Sequence, residues 1–192
     1  MKTTITLFLL ASCLLFSEYA YSQRRAGFYG GLNFSSMKFI PSESNTGCTL
    51  PVLGGFGTRQ ISQAASLLYS VQYIEKGADF HNVNLRLKYL EPQLSMLVGA
   101  TRDKGGPYLI AGFGIGMLIS ARGQVPDVNL DIIEFFQQAD FNFNGGAGIR
   151  FSNFFIEGTY SSTVISVIRE EFAEEAFNKG FQLKAGFSFN LR

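Results

Sequence analysis

The sequence is poor in the residues that carry most protein chemistry. Its 192 residues include one histidine, two cysteines and no tryptophan. The histidine, His81, stands near Asp79 in a polar segment where a solvated side chain is the ordinary case, and catalysis by a Ser–His or Asp–His pair is disfavoured. Cys48 is the only thiol outside the N-terminal segment, which excludes an internal disulfide, and no Cys/His cluster exists for a metal. We therefore predict neither a cofactor nor a metal.

Charge is also scarce. Charged residues make up 16% of the chain, against about 25% in ordinary soluble domains. The 16 basic and 15 acidic side chains leave a net charge of +1, so no electrostatic footprint for nucleic acid is present. What the chain has in excess is Phe, with 20 residues, and Gly, with 21. Few charges beside many phenylalanines indicate a surface that partly faces a membrane.

The N-terminus has the three parts of an export signal. Met1 and Lys2 form a short basic region, and Ile5–Phe16 is an apolar run too short for a spanning helix. Ala20 and Ser22 occupy the −3 and −1 positions of a cleavage site. We predict a cleaved signal over residues 1–22 and a mature domain over residues 23–192, exported by the Sec route.

One alternative concerns Cys13. The sequence Leu10-Ala11-Ser12-Cys13 resembles a lipobox, in which Cys13 would be acylated. The residues that follow are apolar where a lipoprotein has a polar tether, which favours the cleaved signal.

The remaining chain has the pattern of a membrane barrel. No run after Gln23 reaches 18 apolar residues, so only a closed barrel could cross a bilayer. Apolar and small or polar residues alternate with a period of two in eight segments of about ten residues. These begin near Ala26, Val52, Leu67, Leu90, Tyr108, Phe141, Phe154 and Phe181. We predict an all-β protein, an eight-stranded antiparallel up-and-down transmembrane β-barrel with short periplasmic turns and longer extracellular loops.

Two local features accompany this pattern. The two-residue turn Ser152-Asn153 pairs Phe151 with Phe154, and we expect Asn153 to adopt the positive φ of a tight turn. The apolar positions change parity upstream of Leu90, which predicts a bulge or a change of environment there.

The two faces of the strands predict which side meets lipid. The apolar face is rich in Phe, Leu, Ile and Val, while the other carries Gly, Ser, Thr, Asn and Gln with isolated charges. A soluble lipid-binding barrel would need a charged outer surface, so the membrane barrel is favoured over it. The predicted lumen charges are Arg59, Glu91, Arg150, Glu157 and Lys184. Arg150 and Glu157 lie on neighbouring strands, where an ion pair between them is the simplest role.

The Gly112, Gly114 and Gly116 repeat lies inside a strand, which excludes a phosphate-binding loop.

Four long connections are predicted to face outward from the cell: Lys38 to Leu50, Glu75 to Asn84, Arg122 to Asp140, and Ser162 to Gly180. The last two place acidic and apolar residues at helical spacing, so both could form short amphipathic helices. Such helices would either cap the barrel or offer a contact surface for a partner. The contact residues in the second case are Ile132, Phe135, Phe136, Ile168 and Phe172.

Several motifs resemble a known family. They are Lys88-Tyr89-Leu90-Glu91-Pro92-Gln93-Leu94, Gly106-Pro107-Tyr108-Leu109-Ile110-Ala111-Gly112, the stretch from Asp140 to Phe151, and Phe155-Ile156-Glu157-Gly158-Thr159-Tyr160. In this order the chain is similar to the PorT-like outer membrane β-barrel proteins of the Bacteroidetes. It departs from their pattern where Pro92 directly follows Glu91 and where the chain ends on Arg192 rather than an aromatic residue. The resemblance implies an accessory role in protein secretion or transport.

Taken together, we expect a non-enzymatic protein of the bacterial outer membrane with a structural or interaction role. Its partners would be outer membrane lipid and a protein that contacts the extracellular loops or periplasmic turns. Passage of ions or small solutes through the barrel is the alternative, although eight-stranded barrels are usually filled by their own side chains.

Overall fold

The computed structural model describes residues 24–40, 46–80, 83–99, 105–125, 128–168 and 175–191. The predicted signal segment, Cys13, His81 and Phe172 lie outside these residues. Within the described ranges, no helix is long and apolar enough to cross a membrane.

Antiparallel strands form nearly all of the described chain. Their bounds are β1 Arg24–Ile40, β2 Cys48–Gln60, β3 Ala65–Phe80, β4 Val83–Gly99, β5 Gly106–Val125, β6 Val128–Asp131, β7 Ala139–Phe151, β8 Phe154–Thr163 and β9 Glu175–Leu191. Eight of them form a ring in the order β1, β2, β3, β4, β5, β7, β8, β9, which closes where β9 pairs with β1. The short β6 pairs with Arg122–Val125 of β5, beyond the stretch of β5 that pairs with β7. The predicted eight-stranded up-and-down barrel is thereby confirmed.

The apolar face of the strands points outward. On β9, Phe181, Leu183 and Phe187 are about half exposed, while Gln182 and Lys184 between them are buried. The same alternation runs around the ring, and the exposed belt includes Phe28, Leu53, Val71, Met96, Leu109, Phe113, Phe143 and Ile156. A belt of this kind belongs in lipid and would be a severe liability in water. It excludes the soluble barrel.

The interior changes character along the barrel axis. Towards the extracellular end it is lined by apolar side chains, including Met37, Val52, Ile74, Ala78, Leu85, Leu87 and Ala121. This explains the change in the sequence pattern upstream of Leu90. β4 keeps its phase, with Leu85, Leu87, Tyr89 and Glu91 all facing inward, but the lumen around it changes from polar to apolar. The register to β5 also shifts between Lys88 and Tyr89, which pair with Ser120 and Leu118 and leave Ile119 as the extra residue.

The turn between β7 and β8 pairs Phe151 with Phe154, as expected. The residue with positive φ, however, is Ser152 (55°) and not Asn153. A two-residue turn with a positive φ at its first central position is of the II′ kind, whereas the expectation for Asn153 concerned the second position.

Two expectations about the outward connections were wrong. Glu75 to Asn84 is not a loop, because β3 continues to Phe80 and β4 starts at Val83 with Asp79 paired to Asn84. The described residues of the third connection hold a three-residue 3-10 helix, Ile133–Phe135, where an amphipathic helix was expected. In the fourth connection Glu175 and Ala176 already belong to β9, and residues 169–174 lie outside the described residues. The physical reason is extended pairing: the backbone N–H of Val167 donates to Ala176 O, and Phe136 and Ile168 form a β-bridge.

Candidate functional site: a charged lumen

A buried lysine lies in the lumen between Ile74 and Ala78 of β3, where the polar part of the interior meets the apolar part. Lys76 on β3 is fully enclosed, and its Nζ lies 2.8 Å from Glu91 Oε2 and 2.9 Å from Asp140 Oδ2. The same ammonium stands 4.9 Å from the centre of the Tyr89 ring. One cation thus joins β3, β4 and β7 across the interior.

Neutral side chains complete the coordination of Glu91. Its Oε1 accepts hydrogen bonds from Gln72 Nε2 (3.0 Å) and Gln93 Nε2 (2.6 Å), and its Oε2 accepts one from Asn142 Nδ2 (3.0 Å). Gln72 in turn accepts a hydrogen bond of 2.9 Å from the Tyr29 hydroxyl. A carboxylate enclosed this thoroughly is held in one orientation, because every oxygen already has a donor.

Asp140 is held in the same way. Thr163 Oγ1 donates to its Oδ1 at 2.8 Å, and Asn178 Nδ2 donates to its Oδ2 at 3.0 Å. The acidic residue that the sequence placed in an extracellular loop is therefore an interior residue, 1% exposed, at the start of β7.

A second ion pair lies nearer the periplasmic end. Glu157 on β8 and Lys184 on β9 are cross-strand partners, and Lys184 Nζ lies 2.8 Å from Glu157 Oε1. The Tyr108 hydroxyl donates to Glu157 Oε2 at 3.1 Å, and Lys184 lies 5.1 Å from the centre of the Tyr29 ring.

Arg150 is buried but does not pair with Glu157 in the expected way. Glu157 faces Lys184 instead, since the two are directly opposite, whereas Arg150 is opposite Phe155. The Arg150 guanidinium packs over the Tyr108 ring, 5.6 Å from its centre. A cation over an aromatic face gains electrostatic stabilisation from the ring quadrupole.

Arg59 was placed in the lumen from the sequence, and that placement was wrong. On β2 the inward positions are Val52, Phe56 and Thr58, which are buried, and Leu53 on the opposite face is exposed. Arg59 shares the phase of Leu53 and is half-buried at the periplasmic end of the outer face.

The predicted loop surface is also smaller than expected. Phe136 and Ile168 are buried, 4% and 9% exposed, because they pair with each other over the barrel. Ile132 is half-buried, and Phe135 is exposed. Of the predicted contact residues that the structure describes, Phe135 alone presents an exposed aromatic side chain.

The site residues missed by the sequence are Lys76 and, as an interior group, Asp140. Lys76 follows Gln72 and Ile74 with a spacing of two, which is the signal that could have placed it inside.

These contacts fill the lumen. A cavity near the periplasmic end, lined by Tyr29, Phe56, Leu68, Leu97, Tyr108, Arg150, Phe155 and Glu157, measures about 10 Å³, which is close to the least volume that holds one water molecule. Across the described residues, no group of three or more His, Cys, Asp and Glu side chains could hold a metal ion.

The closed ring of strands, the apolar belt on its outer face and the polar interior define the chain as a bacterial outer membrane β-barrel protein. Comparison with solved structures agrees. The chain is similar to Ail, the attachment invasion locus protein of Yersinia pestis (TM-score 0.52, 13% identity, covering 86% of this chain and 98% of that one). It is similar to neisserial surface protein A (TM-score 0.51, 9% identity, covering 87% of this chain and 97% of that one). It is also similar to the outer membrane enzyme PagL (TM-score 0.51, 13% identity, covering 85% of this chain and 97% of that one). No family model and no curated protein matches the sequence. At these identities the likeness concerns the fold.

Proposed function

We propose that this protein is a closed, non-conducting outer membrane barrel with a structural or interaction role. The observation that carries the proposal is the Lys76–Glu91–Asp140 cluster, which occupies the middle of the lumen with contacts of 2.8 and 2.9 Å. A pore needs a continuous hydrated path, and porins reach one with about sixteen strands. A barrel filled by its own ion pairs has its working surface outside the lumen.

Planar bilayer recording tests this directly. The purified protein, shown to be folded by its heat-dependent gel mobility, is inserted in 1 M KCl (an assay condition chosen to favour conduction, about 3 Å Debye length). We expect no stepwise current. Reproducible unitary openings would overturn the proposal and support passage of ions through the barrel instead.

The interaction part of the proposal rests on Phe135. This side chain is 47% exposed and belongs to the last residue of the 3-10 helix at the outward end of the barrel. A photo-crosslinking residue at position 135 in intact cells is expected to capture one defined protein. The matched control is position 113, where the native Phe is 49% exposed in the lipid-facing belt and should capture lipid. Equal capture of the same proteins at both positions would count against a contact surface at Phe135.

The resemblance to PorT-like proteins suggests that the captured protein belongs to a secretion or transport assembly of the outer membrane. Deletion of the gene should then lower the amount of exported protein in the culture medium while leaving total synthesis unchanged. A normal secretome after deletion would contradict this role.

We also propose that the protein has no catalytic activity. PagL shows that this fold can carry an enzyme, so the proposal is tested on the substrate that a membrane barrel meets. Folded protein incubated with outer membrane lipid is expected to release no fatty acid or sugar above a heat-denatured control. Release that depends on the fold would overturn it.

A further inference from the structure

Two lysines face outward just beyond the aromatic part of the belt. On β1, Lys38 is exposed, and on β9, Lys179 is half-buried. Both occupy outward positions, in phase with the exposed Phe34 and Phe181, which are cross-strand partners 6.3 Å apart between ring centres. The lysines therefore lie on the extracellular side of the Phe34–Phe181 row, with Phe177 directly opposite Lys38 and the exposed Ile40 one row farther out.

The register builds a row of polar groups across three strands. Lys179 is directly opposite Ser36 of β1 on one side and Ser162 of β8 on the other. Neighbouring strands are about 4.8 Å apart, and successive rows on one face are about 7 Å apart. Lys38, two residues beyond Ser36, is thus the diagonal neighbour of Lys179, within reach of its long side chain.

Three other outward cations at the extracellular end lie beside carboxylates. Lys88 pairs with Glu75 at 3.4 Å and Arg86 with Asp79 at 2.6 Å, and Arg122 stands opposite Asp131. Among the described residues, neither Lys38 nor Lys179 forms an ion pair. Glu175, opposite Ile40, is the other diagonal neighbour of Lys38 and lies two rows from Lys179, and it forms no ion pair with either lysine.

Two ammonium groups flanked by two hydroxyls match the acceptor oxygens of a phosphate. The row below them consists of Tyr160, Phe181 and Phe34, which are half exposed and suited to contact with an acyl chain. A ligand with a phosphate above and hydrocarbon below is a phosphorylated lipid. We propose that the β8–β9–β1 seam binds the phosphate of a lipid of the outer leaflet through Lys38, Lys179, Ser36 and Ser162.

The test uses the folded full barrel in nonionic micelles and bisphosphorylated lipid A as the probe, with bound lipid counted by native mass spectrometry. The variant Lys38→Gln/Lys179→Gln should weaken binding about tenfold to thirtyfold, because each substitution removes one of the two positive charges that face the phosphate. Arg86→Gln/Lys88→Gln is the matched control. It removes two outward cations at the same end of the barrel and should leave binding within about twofold.

Two further arms separate the sources of the phosphate. Dephosphorylated lipid A should bind the native barrel as weakly as lipid A binds the lysine variant, and Lys38→Arg/Lys179→Arg should retain binding. Inorganic phosphate at millimolar concentration should not displace the lipid. Unchanged binding by the lysine variant, equal losses in both double variants, full binding of the dephosphorylated lipid, or displacement by free phosphate would each overturn the proposal. Heat-dependent gel mobility confirms that each variant is folded.

Discussion

Lys76 Nζ lies 2.9 Å from Asp140 Oδ2, although β3 and β7, which carry them, do not pair with each other. The contact crosses the lumen and joins strands that the backbone hydrogen bonds leave apart. It is buried, with the two side chains 5% and 1% exposed. Substitutions at such buried contacts should therefore affect the stability of the barrel.

Lys76→Met should be strongly destabilising. The substitution leaves Glu91 and Asp140 enclosed without their cation, and removal of one partner from a buried ion pair costs about 3–5 kcal/mol. Urea unfolding in micelles measures the loss. Because the chain has no tryptophan, unfolding is followed by tyrosine fluorescence and by gel mobility.

Lys88→Met is the matched control for this prediction. Lys88 is 36% exposed and lies 3.4 Å from Glu75, so its removal should change stability by less than about 1 kcal/mol. Similar losses for both variants would show that the lumen cluster contributes no more than a surface pair.

The Glu157–Lys184 pair should behave as a unit. Lys184→Met and Glu157→Leu each leave one buried charge alone, whereas the double variant leaves none. We expect the double variant to lose less stability than the sum of the singles, with a coupling energy of about 1–3 kcal/mol. The same four-member cycle at Glu75 and Lys88 should give a smaller coupling. Additive losses of stability at Glu157 and Lys184 would contradict coupling between the two residues.

Two neighbouring glycines on β7 should respond differently to alanine. A Cβ at Gly146 would overlap the Gly158 carbonyl oxygen of β8, whereas a Cβ at Gly145 would lie 3.9 Å from Ile110 O, an ordinary contact. Gly146→Ala should therefore force the β7–β8 pair apart and lower the folded yield, while Gly145→Ala should fold like the native chain. Refolding yield by gel mobility measures both. Equal yields would mean that the strands can shift to accept the methyl group.

The β7–β8 turn offers a stabilising change. Ser152 has a φ of 55°, a conformation that strains a non-glycine residue by about 1 kcal/mol, so Ser152→Gly should raise the free energy of unfolding by up to that amount. Asn153→Gly, at an ordinary φ, should instead lower it by about 0.5–1 kcal/mol because the unfolded chain gains freedom. Urea titration of both variants checks the sign, and a gain from Asn153→Gly with a loss from Ser152→Gly would contradict the assigned turn.

The alternation of side chains predicted the barrel because a lipid-facing strand must be apolar at every second position. That signal weakens wherever the outer face leaves the lipid. At Glu75, Gly77 and Asp79 the outward positions of β3 are polar or small, so the strand looked like a loop and Lys76 was missed. On β2 the interior itself is apolar at Val52 and Phe56, which hid the phase that puts Arg59 outside.

The periodic pattern also could not predict which lumen side chains pair with each other. Lumen positions of Glu91, Arg150, Glu157 and Lys184 follow from parity, but the pairing depends on the register between strands. A shift of two residues between β8 and β9 would keep every face and exchange the partner of Glu157.

Closure of the ring by β1 and β9 links residues 24–40 to residues 175–191 through seventeen cross-strand positions. The first strand cannot complete its hydrogen bonding until the last has arrived, so the full chain must be present before either edge is satisfied. Closure of the ring therefore follows synthesis of the whole chain, and until then the two long edges of β1 and β9 are unpaired and prone to aggregate.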